Sequence, residues 1–201
     1  MFQIKDIDVV STSQINALRG IPDMPSGLYV IGNIDILNQT CLSVAGSRRI
    51  DAHSSQWLRD LMKQTHDVTF ISGLALGADA VAHRAALRDG QATAAVLPSG
   101  FNNIAPRQHK KLAQQIVNSG GCLISEYDPS SGPTKSSYVR RNRIIAALGK
   151  MLIVPQCDNP SGTMHTVNFA KKYGKVVVVR DANYSGNQHI INSGEYKVLI
   201  K

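Results

Sequence analysis

Two hydrophobic patterns alternate along this chain. Short apolar runs rich in β-branched residues recur at 27–32 (GLYVIG), 41–46 (CLSVAG), 67–72 (DVTFIS), 92–98 (ATAAVLP), 121–126 (GCLISE), 150–155 (KMLIVP) and 175–180 (KVVVVR). Between them, at 54–64, 79–89, 107–119, 139–149 and 163–174, apolar residues return every three or four positions. The second pattern predicts amphipathic helices. The first predicts strands, and runs such as VVVV and MLIV do not alternate, which suits strands covered on both faces of a parallel sheet. Strand–helix alternation over this length predicts a doubly wound α/β domain with a mostly parallel sheet and helices on both faces. A short helix near 187–194 and a strand at 196–201 close the pattern. Residues 1–20 read as a lead-in, expected to be helical and followed by IPDMP at 21–25. The single domain is expected over 21–201.

Composition agrees with one ordinary globular domain: 201 residues, 43% of them hydrophobic. No apolar run is long enough to span a membrane. The first twenty residues carry Asp6 and Asp8 and lack the basic start and apolar centre of a signal peptide. Cys41, Cys122 and Cys157 are odd in number and far apart, so they read as structural thiols in a reducing, cytoplasmic setting. The net charge is +8. It is unevenly spread: no acid stands between Asp128 and Asp158, a stretch holding Lys135, Arg140, Arg141, Arg143 and Lys150. Such a concentration points to an anionic partner, with nucleic acid first.

In open α/β sheets a ligand lies beyond the carboxyl ends of the strands. The turns there are rich in glycine: VAGSRR (44–49), SGLALGAD (72–79), LPSGFNN (97–103) and NPSGTMHT (159–166). Glycine lets backbone N–H groups approach an anion, and a helix start adds partial positive charge. Gly46, Ser47 and Arg48 in one turn, and Ser161 and Gly162 in another, are therefore expected to line a phosphate-receiving crevice. Neither a dinucleotide fingerprint nor a P-loop is present, and no GxSxG elbow supports a Ser-His-Asp triad.

Within VRRNRIIAAL, at about 100° per residue, Arg141 falls on the stripe of Ile144, Ile145 and Leu148. Arg140 sits at the edge of that stripe, and Arg143 points away from it. Arg141 is thus expected where the helix start meets the crevice, with Tyr138 offering a ring for a base. For Arg143, solvated charge and phosphate contact stay open. Asp79 and His83 share a helix face but lack further metal ligands, so they read as a capping carboxylate and a hydrogen-bonded imidazole. Glu126, ending a strand at the crevice edge, could serve as a general base.

Taken in order, IPDMPSGLYVIGN (21–33), VAGSR (44–48), SGLALGADAVAHRAAL (72–87), LPSGFNNIAP (97–106), LISEY (123–127), YVRRNRIIAAL (138–148), SGTMHT (161–166) and HIINSG (189–194) resemble the DprA/Smf family of DNA-processing proteins. The resemblance implies an extended Rossmann-like fold, single-stranded DNA binding, loading of a RecA-type recombinase, homodimerisation and a role in natural transformation. It also implies DNA contacts from Gly46, Ser47 and Arg48, and from Tyr138, Arg140, Arg141, Asn142 and Arg143. The family's Phe-Pro is Tyr138-Val139 here, which keeps the ring and loses the rigid proline. Its usual flanking domains, helical before and winged-helix after, have no expected counterpart beyond residues 1–20.

The leading expectation is a single-strand binder without a catalytic residue, metal or cofactor, using these residues together with Lys135, Ser161 and Gly162. A sensor of a free nucleotide in the same crevice is the alternative. A third reading draws on phosphoribohydrolases that carry PGGxGTxxE. Gly162 and Thr163 fit that motif, but Thr166 stands where its glutamate would be.

Overall fold

The computed structural model describes residues 7–201. A single sheet of nine strands forms the middle layer, in the order β1-β2-β6-β5-β4-β3-β7-β8-β9. Seven strands run parallel: β3 (Cys41–Val44), β4 (Thr69–Ser72), β5 (Ala92–Val96), β6 (Cys122–Ser125), β7 (Met151–Val154), β8 (Val176–Val179) and β9 (Lys197–Ile200). β1 (Asp8–Ser11) and β2 (Gly27–Gly32) add an antiparallel edge beyond β6. The helices are α1 (Ala52–Lys63), α2 (Ala78–Arg88), α3 (Lys110–Asn118), α4 (Lys135–Leu148), α5 (Gly162–Lys172) and α6 (Ser185–Asn192). The doubly wound, Rossmann-like expectation holds.

The non-alternating strands are covered on both sides, as their sequences require. In β4, Phe70 joins a cluster with Leu58, Met62, Ala82 and Ala85 under α1 and α2. Its neighbour Ile71 joins Ile144, Ile145 and Leu148 of α4 on the other face. The VVVV run divides the same way: Val177 and Val179 pack with Met164 and Val167 of α5, and Val178 with the α1 side. The three thiols are buried and unpaired. Burial raises Cys41 to about 11 and Cys157 to about 12, so both stay protonated and inert at neutral pH.

Two local expectations are corrected. The lead-in forms no α-helix where it is described: β1 pairs in register with β2, two single-turn 3-10 helices follow, and Ile15 and Leu18 are buried in the core. Burial of those side chains and ladder hydrogen bonds outweighed the weak local helical pattern. Residues 1–6 of that expectation lie outside the described part. The helix expected at 139–149 starts a full turn earlier, because Thr134 caps it. The Thr134 side chain accepts from Ser137 N–H, and Ser137 Oγ accepts from Thr134 N–H.

No helix among the described residues is long and apolar enough to cross a membrane.

Candidate functional site

Strand order reverses between β3 and β7, which are neighbours in the parallel part of the sheet. β3 leads on toward β4, β5 and β6, while β7 leads the other way. Their carboxyl-end loops therefore diverge and leave a crevice. It holds about 450 Å³. Eight of the eleven expected residues line it: Gly46, Ser47, Arg48, Tyr138, Arg141, Asn142, Ser161 and Gly162. They come from three separate segments: the turn after β3, residues 138–142 of α4, and the start of α5. Lys135, Arg140 and Arg143 are not part of its lining.

The turn after β3 is held from two sides. Ser47 N–H donates to Gln156 O at 2.8 Å, and Ser47 O accepts from Ala78 N–H at 3.1 Å. Gly77, with φ +73°, lies so close that a Cβ there would collide with Ser47 O and the Arg48 backbone. Glycine is therefore required on both counts. Arg48 remains exposed, its guanidinium carbon 5.3 Å from the centre of the Tyr138 ring. Asn142 ties α4 to α5 by donating to Gly162 O at 3.3 Å. Ser161 precedes α5 without capping it, and its Oγ is buried without a hydrogen-bond partner among the described residues.

Arg141 forms the floor. Only 4% of it is exposed. Nη1 donates to Gly73 O at 2.6 Å and to Val96 O, and Nε donates to Asn142 Oδ1 at 3.1 Å. A Cβ at position 73 would land on this guanidinium and displace it from the floor. Next to it Asp79 accepts from Ala75 N–H at 3.1 Å, and so braces the loop between β4 and α2 rather than capping the helix. Burial pushes the Asp79 carboxyl above the usual carboxylate range, opposed by the charge of Arg141. Leu74 in this loop has φ +64°. That costs about 1–3 kcal/mol for a side-chain-bearing residue. Full burial of Leu74 and a 2.7 Å hydrogen bond from His109 Nδ1 to its carbonyl hold it there.

His83 is hydrogen-bonded, as expected, at 2.8 Å from Thr93 Oγ1. Burial, then the nearby His109 and Arg141, hold its pKa down to about 3. Between that value and the usual 6.5 the unfolded chain binds the extra proton, so stability is complete above pH 6.5 and falls as pH drops toward 3. The limiting slope is about 1.4 kcal/mol per pH unit. Denaturant unfolding across this window should show a flatter profile for His83→Gln than for the unaltered chain; identical slopes would rule the effect out.

The arginines of α4 require a further correction. Sequence proximity offers them no acid, but the fold supplies Glu126 from the end of β6. Its carboxylate binds Arg143 at 2.6 Å and Arg140 at 2.7 Å. Arg143 also donates to Asp23 O at 2.7 Å and is as buried as Glu126. Its expected outward direction gave way because the 21–25 segment folds over that side of α4. A carboxylate engaged by two guanidiniums does not serve as a free general base. Arg140 stays largely exposed. Lys135 is exposed in the first turn of α4. The lining also includes Asp158, Thr163 and Thr166. In the sequence Asp158 marks only the end of the acid-free stretch, and nothing in its spacing announces a site position.

Similarity to known proteins follows the same geometry. Residues 9–200 match the family described as DNA recombination-mediator protein A. The chain is 38% identical over 162 residues to protein Smf of Escherichia coli K12, covering 80% of this chain and 43% of that protein. It is 32% identical over 183 residues to DNA processing protein DprA of Streptococcus pneumoniae R6, covering 88% and 64%. The chain thus spans about half the length of such relatives. The X-ray structure of DprA from Streptococcus pneumoniae superposes with a TM-score of 0.89 at 30% identity, over 97% of this chain and 71% of that one. A solved structure of DNA processing protein A from Helicobacter pylori, described as giving insight into its unique single-stranded DNA binding mode, superposes with a TM-score of 0.85 at 28% identity, over 96% and 90%. With the switch-point crevice, its glycine-held turns and a match over nearly all described residues, the chain belongs to the DNA recombination-mediator protein A family.

Proposed function

We propose that the crevice binds single-stranded DNA in DNA processing or recombination. The observation that carries this reading is the meeting of Arg48 and Tyr138 at the mouth of a crevice whose remaining edge is the start of α5. A cation beside an aromatic ring suits a phosphate next to a stacked base. Ser47, Ser161, Asn142 and the backbone at Gly46 and Gly162 supply neutral polar contacts around it. Lys135 and Arg140, exposed on α4, extend the phosphate path. Arg141 holds the floor, and Arg143 serves the fold through Glu126. The site acts by binding, without a catalytic residue, metal or cofactor. A RecA-type recombinase is the proposed partner, in keeping with a family described as a recombination mediator. A homodimer is supported by the outer edge of β9, where Leu199 and Ile200 are exposed, and a cytoplasmic setting by the three unpaired thiols.

Labelled dT oligonucleotides titrated at several salt concentrations test the reading. Binding should weaken with salt, with a log–log slope of about −0.7 per phosphate neutralised. Arg48→Ala should weaken binding at low salt and make that slope shallower by about 0.7, with unfolding unchanged because the side chain is exposed. Absence of oligonucleotide binding at low salt would refute it. A free nucleotide is the second reading, favoured by the crevice volume, which lies at the small-ligand end of binding sites. Mononucleotide binding without oligonucleotide binding would select it.

A further inference from the structure

Four charged side chains line the crevice: Arg48, Asp79, Arg141 and Asp158. Asp79 and Arg141 are buried together beneath it and offset one another. That leaves two charges at the opening, the exposed Arg48 and the exposed Asp158. Asp158 has no ion-pair partner among the described residues. It stands in the loop between β7 and α5 and lines the same crevice as Arg48 and Tyr138. A carboxylate at the mouth of a site for phosphates is unfavourable unless the ligand presents hydrogen-bond donors there.

We infer that Asp158 is a specificity-determining residue that reads the Watson–Crick edge of a base and selects guanine. This rests on the nucleic-acid reading above. With a phosphate at Arg48 and a base against Tyr138, Asp158 is the one exposed side chain of the lining, among the described residues, able only to accept hydrogen bonds. Guanine presents two adjacent donors, N1–H and the N2 amine, which match the two oxygens of a carboxylate. Cytosine and adenine present a single amine next to an acceptor nitrogen. Thymine presents N3–H between two carbonyl oxygens, which repel a carboxylate. Unstacked single strands expose these edges, so a side chain can discriminate among them.

The test compares oligonucleotides of equal length: all dT, alternating dT and dG, and alternating dT and deoxyinosine, which lacks the N2 amine. The unaltered protein should prefer the dG strand to all dT by about tenfold, within the range of a bidentate base contact. Deoxyinosine should lose most of that preference. Asp158→Asn should bind all dT more tightly, because a like charge near the phosphates is removed, and should rank the three strands nearly equally. A purely structural role for Asp158 would not change this ranking. Equal affinity of the unaltered protein for dG and dT strands, or a preference that survives Asp158→Asn, overturns the inference and leaves strand binding intact. A parallel titration with dGMP and dTMP distinguishes the ligand's source. dGMP preferred over dTMP without oligonucleotide binding keeps the base assignment and moves it to a free nucleotide. Silence of every strand and both mononucleotides at low salt overturns the inference and the proposed function together.

Discussion

Glu126→Ala is expected to destabilise the fold by about 3–5 kcal/mol, the range for removing one partner of a buried ion pair. Side-chain exposure is 5% for Glu126 and 6% for Arg143, so neither charge is compensated by water. Arg143 would keep its bonds to the carbonyls of Asp23 and Arg140, but not its counter-charge. Denaturant unfolding measures the loss. Removing both charges, as Glu126→Ala with Arg143→Met, should recover much of it, because a buried pair is often replaceable by apolar side chains. Oligonucleotide binding should survive Glu126→Gln, which leaves the crevice lining untouched and frees Arg140. A Glu126→Ala protein as stable as the unaltered one would show that the pair contributes nothing.

Arg141→Met is expected to lower both stability and binding. Its guanidinium is the partner of Gly73 O and Val96 O, and each carbonyl left unsatisfied in the interior costs about 1–3 kcal/mol. Asp79 also loses the charge that opposes its burial. We expect a total loss of about 3–5 kcal/mol, comparable with breaking a buried pair. The loop from Gly73 to Gly77 rests on this floor and in turn supports the Arg48 turn. Binding should therefore weaken through misplacement of Arg48. The salt slope should change less than in Arg48→Ala, since Arg141 is too buried to neutralise a phosphate. A slope reduced as far as in Arg48→Ala, with stability unchanged, would instead make Arg141 a direct phosphate contact.

The layered fold was legible because burial on two faces needs a distinctive composition. Unbroken runs such as VVVV and MLIV have few stable alternatives to a covered parallel strand. The loops of the site were legible as well, since strand ends rich in glycine and followed by helices are where an α/β sheet gathers its ligands. The angular position of Arg141 on α4 followed from helix periodicity alone. By contrast, β1 was invisible: four residues of a mostly exposed edge strand carry little periodic signal, and only pairing with β2 gives them their structure.

What the sequence by itself determined is therefore the class of fold, the edge of the sheet that carries the site, and most of the residues around it. These depend on local periodicity and turn chemistry, which act over a few neighbouring positions. What only the tertiary structure decided is the fate of each charge. Glu126 and Arg143 are 17 positions apart and Asp79 and Arg141 are 62 apart in the numbering. Whether an arginine meets a phosphate, a carbonyl or a carboxylate depends on which distant segment folds against it. Charge–charge energies change several-fold with burial, and burial is a property of the folded molecule.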